Sequence, residues 1–105
     1  PRDEARHRRS PIRAAGAYVV FNDGELVLYL ERGGRTLQTF APFDDRAVAT
    51  ASIEALRGLL GDGRLRRVQL ERLDGEAIAE SPQRERLGAL GFRQAYKGYV
   101  LDAAG

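Results

Sequence analysis

The chain has 105 residues, no cysteine, methionine or tryptophan, and a formal charge of +2 from 17 basic and 15 acidic side chains. That length suits one domain with one modest core, and the missing thiols exclude disulfides, thiolate catalysis, iron–sulfur clusters and Cys-based zinc sites. No apolar run approaches the roughly 20 residues of a spanning helix, and the basic start lacks the apolar stretch of a signal peptide, so a cytoplasmic domain with no membrane contact is expected.

Residues 1–14 form the first segment. They carry two prolines and no apolar periodicity, which predicts a basic flexible leader or interdomain linker. Within residues 1–13 Arg2, Arg6, Arg8, Arg9 and Arg13 outnumber Asp3 and Glu4, leaving the other 92 residues at a net −1. Pro1 and the lack of methionine suggest a domain excised from a longer polypeptide, with its boundary near Ala15.

A single α+β domain is expected over residues 15–102, with 103–105 as a disordered tail. Ala17 to Phe21 is rich in β-branched and aromatic residues and runs into Asn22-Asp23-Gly24, a hairpin signal, since Asp-Gly accepts the positive φ angles of a tight turn. Glu25 to Arg32 returns, with Leu26, Leu28 and Leu30 on one face and Val27 and Tyr29 on the other. A strand apolar on both faces is either covered twice within its fold or meets another domain; Val27 and Tyr29 are therefore a candidate docking surface. Gly33-Gly34 turns the chain into a third strand, Arg35 to Phe40, which Pro42 ends.

Asp44 is placed to cap a helix, in which Val48, Ser52, Ala55, Leu56, Leu59 and Leu60 recur at helical spacing. Gly61 and Gly63 stop it. A fourth strand spans Arg66 to Leu73 and turns at Asp74-Gly75. Ser81-Pro82 begins a second helix, with serine as cap and proline at the first position; Leu87 and Leu90 are its stripe and Gly91-Phe92 its end. Arg93 to Leu101 is the last strand, bulged at Lys97-Gly98. The order is βββαβαβ: a mainly antiparallel five-stranded sheet with two helices on one face.

Chemistry is sparse. Gly33-Gly34 lacks the downstream glycine and Lys-Ser/Thr pair of a nucleotide-binding loop. His7 has no partner ligand, so no metal site is expected. Glu31, Glu71, Asp74, Glu76, Glu80 and Glu85 fall at strand ends, turns and helix starts, where carboxylates are ordinary caps or solvated groups. Ser81 lies outside a Gly-x-Ser-x-Gly elbow. No catalytic residue and no cofactor are expected within the chain. Arg6, Arg8, Arg9 and Arg13 are the candidate nucleic-acid contacts, through phosphates. Tyr96, Lys97 and Tyr99 near a set of arginines resemble a single-strand gripping and stacking surface, but a near-neutral folded part points instead to Arg64, Arg66 and Arg67 as solvated positions.

One block is more distinctive. Ala14-Ala15-Gly16-Ala17-Tyr18-Val19-Val20, then Asp23-Gly24-Glu25-Leu26-Val27-Leu28-Tyr29-Leu30-Glu31-Arg32-Gly33-Gly34-Arg35-Thr36-Leu37, resembles the closing region of actinobacterial large helicase-related (Lhr) ATP-dependent helicases. Leu70-Glu71-Arg72-Leu73-Asp74-Gly75-Glu76, Ser81-Pro82 and Ala89-Leu90-Gly91-Phe92 follow in the same order as in that family's extreme C-terminus. The resemblance implies a non-catalytic accessory domain of a large superfamily 2 helicase. Its motor hydrolyses ATP, moves 3′–5′ along DNA and serves DNA repair, and it binds ATP and Mg outside this sequence. It further implies other domains of the parent chain as partners, a homo-oligomer, and DNA reached through the parent; base-excision chemistry linked to that region maps onto no residue here. The Leu-Gly-Phe ending of the second helix also occurs in acyltransferase-like domains, so a small catalytic domain is the rival expectation, and a free-standing DNA-binding module the third.

Overall fold

Two Asp-Gly turns organise the chain as the sequence predicts. Asp23 and Gly24 have φ of 53° and 82°, Asp74 and Gly75 52° and 87°, the pairing of two left-handed residues that matches the twist of a two-residue hairpin. The computed structural model describes residues 11–14 and 16–103, with side chains from Gly16 onward. The leader residues 1–10, with Arg6, Arg8 and Arg9, and tail residues 104–105 lie outside it.

Among the described residues the strands form two sheets. The six-stranded sheet begins with β1 (Pro11–Ala14), β2 (Ala17–Asn22), β3 (Glu25–Leu30) and β4 (Thr36–Thr39), an antiparallel meander. β6 (Arg72–Leu73) then joins β4 in parallel and pairs antiparallel with β7 (Glu76–Ala77). The three-stranded sheet has β5 (Val68–Leu70), β8 (Phe92–Gln94) and β9 (Tyr99–Leu101), with β9 in the middle. Helix α1 spans Arg46–Gly61 and α2 Arg84–Ala89. The fold is α+β and mostly antiparallel.

Several expectations are corrected in detail. Two sheets replace the single five-stranded one, because the fourth expected strand breaks at Glu71. Val68, Leu70 and Leu73 are all buried, and a three-residue step from Leu70 to Leu73 cannot continue a period of two. The sheet starts at Pro11, four residues before the expected boundary near Ala15, with Pro11 opposite Val20 and Ala14 opposite Ala17. The last strand is a hairpin instead of a bulged strand: the Ala95 N–H donates to the Gly98 carbonyl at 2.9 Å, and Phe92 faces Leu101.

The cap of α1 is Asp45, whose carboxylate accepts from the Ala47 and Val48 N–H groups at 2.9 and 3.1 Å. Asp44 instead closes the 3-10 turn Ala41–Asp44. The buried stripe of α1 is Val48, Ala49, Ser52, Ile53, Leu56 and Leu59. Helix α2 starts later than Ser81-Pro82 suggests: the buried Ser81 accepts from the Gln83 N–H at 3.1 Å in a short turn, and Arg84 is the first helical residue.

A single cluster fills the space between these elements. Leu28, Leu30 and Leu37 of the meander meet Ile53 and Leu56 of α1, Val68 and Leu70 of β5, and Leu87, Phe92 and Leu101. Arg86 of α2 lies over the Phe43 ring, 4.7 Å from its centroid, and donates to the Phe43 carbonyl. One side chain thus joins α2 to the 3-10 turn ahead of α1 through cation–π and hydrogen-bond contacts.

Candidate functional site

The residues singled out from sequence fare differently. Arg13 lies on β1 opposite Tyr18 in the backbone register. Val27 has 0 % of its surface exposed and belongs to the core, so it presents nothing to a partner; the second face of β3 is covered at this point by the domain itself. Tyr29 is half-buried beside Phe40, and the two line a shallow concavity with Gln38 and Arg32. Tyr99 is partly buried against the core, whereas Tyr96 is fully exposed at the tip of the β8–β9 hairpin.

The turn after β3 and the segment after α1 come together to make a different feature. Gly34 O accepts from the Gln69 N–H at 2.9 Å, and Arg35 O accepts from Glu71 and Arg72 at 2.8 and 3.2 Å. This lays residues 33–35 directly against 67–72. The approach is so close that a Cβ on Gly34 would sit 2.1 Å from the Arg67 carbonyl oxygen; no other residue type fits there. At the open end, the Tyr18 hydroxyl donates to the Arg64 carbonyl at 3.1 Å, fixing the 63–67 segment to β2.

Between these segments runs a groove of ≈ 470 Å³, with Arg32, Arg64, Arg66 and Arg67 on its walls, glycine along part of its floor, and Glu31 as its one carboxylate. Arg67 also lines a second concavity of ≈ 440 Å³, shared with Arg35, Gln69, Glu71, Tyr96 and Lys97. Gln69 donates its side-chain amide to the Lys97 carbonyl, which pins the hairpin tip beside β5. The two grooves share Arg67, and their linings together run from Arg32 to Tyr96.

Charge in the folded part is sorted by location. Of the twelve cations in residues 14–105, six line these grooves, with two of the thirteen carboxylates. Among the described residues the ion pairs, Arg57 with Glu54 at 3.2 Å and Arg93 with Asp102 at 2.7 Å, lie elsewhere. Also among the described residues, no group of three or more His, Cys, Asp and Glu side chains could hold a metal ion, and no helix is long and apolar enough to cross a membrane. The arrangement suits an anionic, extended ligand held by electrostatics and a free aromatic ring. The sequence named Arg64, Arg66 and Arg67 but gave no sign that the Gly33-Gly34 turn would bring Arg32 and Arg35 to them.

No family model matches the chain. Over 80 residues, 76 % of its length, it is 42 % identical to a protein of Mycolicibacterium smegmatis named Lhr helicase/probable uracil glycosylase. The chain is thus a homologue of one segment of an Lhr helicase. It spans 5 % of the length of that relative. The glycine-bearing β3–β4 turn and the Leu70–Glu76 block, which carry the resemblance, respectively line the groove and form the β6–β7 hairpin of this Lhr-related domain.

Proposed function

We propose that the chain is a non-catalytic C-terminal accessory domain of an Lhr-type superfamily 2 helicase acting in DNA repair in the cytoplasm. It packs against other domains of the parent chain or against sister subunits, and contacts DNA as part of that larger assembly. The observation that carries this reading is the 42 % identity to a segment amounting to 5 % of a named helicase. ATP and Mg belong to the motor, whose motifs are absent from this sequence.

The half-exposed face of the six-stranded sheet, where Tyr29 and the 37 % exposed Phe40 lie together, supports packing against a neighbour. Phe40 takes over the role first assigned to Val27. In the intact helicase that carries this domain, deletion of residues 11–102 should leave DNA-stimulated ATP hydrolysis near its original rate, while altering subunit assembly by analytical ultracentrifugation or DNA affinity. Loss of ATP hydrolysis from a motor that remains folded would overturn the accessory role.

A further inference from the structure

We propose that the strip from Arg32 through Arg67 to Tyr96 is a binding site for a single strand of nucleic acid, its phosphates along the arginines and a base stacked on Tyr96. The choice of nucleic acid among polyanions rests on the helicase-domain reading; the site itself rests on four observations of the fold.

The first is charge. Arg32, Arg35, Arg64, Arg66, Arg67 and Lys97 line two concavities that share Arg67, with Glu31 and Glu71 as their carboxylates, while the remainder of residues 14–105 is acidic. Like charges gathered on one face repel, and a polyanion that releases its counterions relieves that repulsion. Second, these cations form no ion pair among the described residues, and Glu31 already accepts from the Gln38 amide at 3.1 Å.

The third observation is shape. The strip is concave and open to solvent, with Gly33, Gly34 and Gly63 in the first groove, so a backbone can descend between the arginines. The fourth is Tyr96, an aromatic ring with no cover on a hairpin tip that is itself held in place. Gln69 bonds the Lys97 carbonyl, and Gly98 packs so tightly on Leu70 that a Cβ there would meet its carbonyl oxygen at 2.0 Å. A rigidly presented free ring beside a cationic groove provides a stacking platform of the kind single-strand binders use. A duplex hides its base faces, so the single strand is the form that satisfies both halves of the strip.

The 105-residue chain can be titrated against fluorescein-labelled oligothymidylate and oligouridylate of about 12 nucleotides, read by anisotropy between about 50 and 200 mM NaCl. The double variant Arg66→Ala/Arg67→Ala should weaken binding about tenfold or more at low salt and lower the salt slope by about 1.4, two phosphates at about 0.7 each. Tyr96→Ala should weaken it about five- to a hundredfold, and Tyr96→Trp should retain it. Arg46→Ala, removing one exposed cation from α1, should change affinity by less than about twofold. Circular dichroism confirms that each variant is folded.

The proposal is overturned if the double variant binds as the parent does, or if removing residues 1–10 abolishes binding while the double variant leaves it intact, which assigns the contact to Arg6, Arg8 and Arg9. It is also overturned if duplex DNA or heparin competes as well as the unlabelled single strand. None of these results touches the accessory role, which is decided by deletion from the intact helicase.

Discussion

In the six-stranded sheet, β1 to β4 are neighbours both in sequence and in space, linked by connections of two to five residues. The three-stranded sheet instead sets Val68 beside Leu101 and Leu70 beside Tyr99, segments separated by a hairpin, a helix and a turn. Local closure lets the meander form from its own turn chemistry, whereas the smaller sheet must bring distant strands together before their contacts contribute. The smaller sheet accordingly depends on close backbone approach, and it is the part that positions Tyr96, Lys97 and Arg67.

Gly98→Ala breaks that contrast with the largest effect. Gly98 has φ +84° and its added Cβ would collide with backbone, the Leu70 carbonyl oxygen; Gly75, in the β6–β7 turn at φ +87°, has nothing within 4 Å of its added Cβ. Both substitutions carry the cost of a left-handed alanine, about 1–2 kcal/mol. Gly98→Ala adds the displacement of β5 from the hairpin and should reach about 3–4 kcal/mol. Urea denaturation of the two variants reads the difference, and equal losses would mean that the close approach does not hold in solution.

The same contrast decides which parts of the fold were legible. Asp23-Gly24 and Asp74-Gly75 announce their turns because few other pairs tolerate two left-handed residues, and the stripe of α1 repeats over enough turns to be read. Ala95 to Gly98 has no such pair. Lys97-Gly98 therefore reads as a bulge, and only the Ala95 to Gly98 hydrogen bond identifies a hairpin. Asp44 reads as the cap from sequence, but Pro42 starts a 3-10 turn that takes in Asp44 and leaves Asp45 at the helix entry. The groove was the least legible feature. Its arginines come from a β-turn and a helix exit about thirty residues apart, and a charge average along the chain cancels them against acids that the fold places elsewhere. Val27 is ambiguous in sequence for a related reason: apolar alternation on both faces says that both are covered, not by what, and here the domain's own core covers it.

A second prediction concerns a side-chain tie within the six-stranded sheet. The Asp74 carboxylate accepts from both the Thr39 N–H and the Thr39 hydroxyl at 2.6 Å, joining the β6–β7 turn to the end of β4. Asp74 also has φ 52°, so alanine there loses two hydrogen bonds and gains backbone strain. Asp74→Ala should cost about 2 kcal/mol, with solvent exposure keeping the hydrogen-bond part at the low end of its range. Asparagine tolerates the same φ and can still accept from the Thr39 N–H while donating to the Thr39 hydroxyl, so Asp74→Asn should cost well under half as much. If both variants melt alike, the tie between β4 and the hairpin contributes nothing beyond the turn.

The smallest effect lies on the outer edge of the three-stranded sheet, where Arg93 of β8 holds Asp102 just beyond β9 through bonds of 2.7 and 3.1 Å. The hydrogen bond from Arg93, aided by its charge and that of Arg57, lowers the Asp102 carboxyl below its ordinary range, and Arg93 is raised in turn. A carboxyl depressed in the folded state stabilises the fold above its unfolded pKa of about 3.9, and that contribution fades as the pH falls through the lower folded value. The raised guanidinium acts in the opposite sense: its contribution is present throughout the neutral range and is lost only at extreme alkaline pH. Both side chains are exposed to solvent, so salt should screen the pair. In an NMR titration, the Asp102 side-chain carboxyl carbon should reach its midpoint below about 3.9 at low salt, and move toward that value in about 1 M NaCl or in Arg93→Gln. A midpoint at or above the ordinary value at low salt would show that the pair does not form. The hairpin would then be held by its strand pairing with β5, the close approach of Gly98 and the Gln69–Lys97 bond, and Tyr96 would be presented without electrostatic help from that pair.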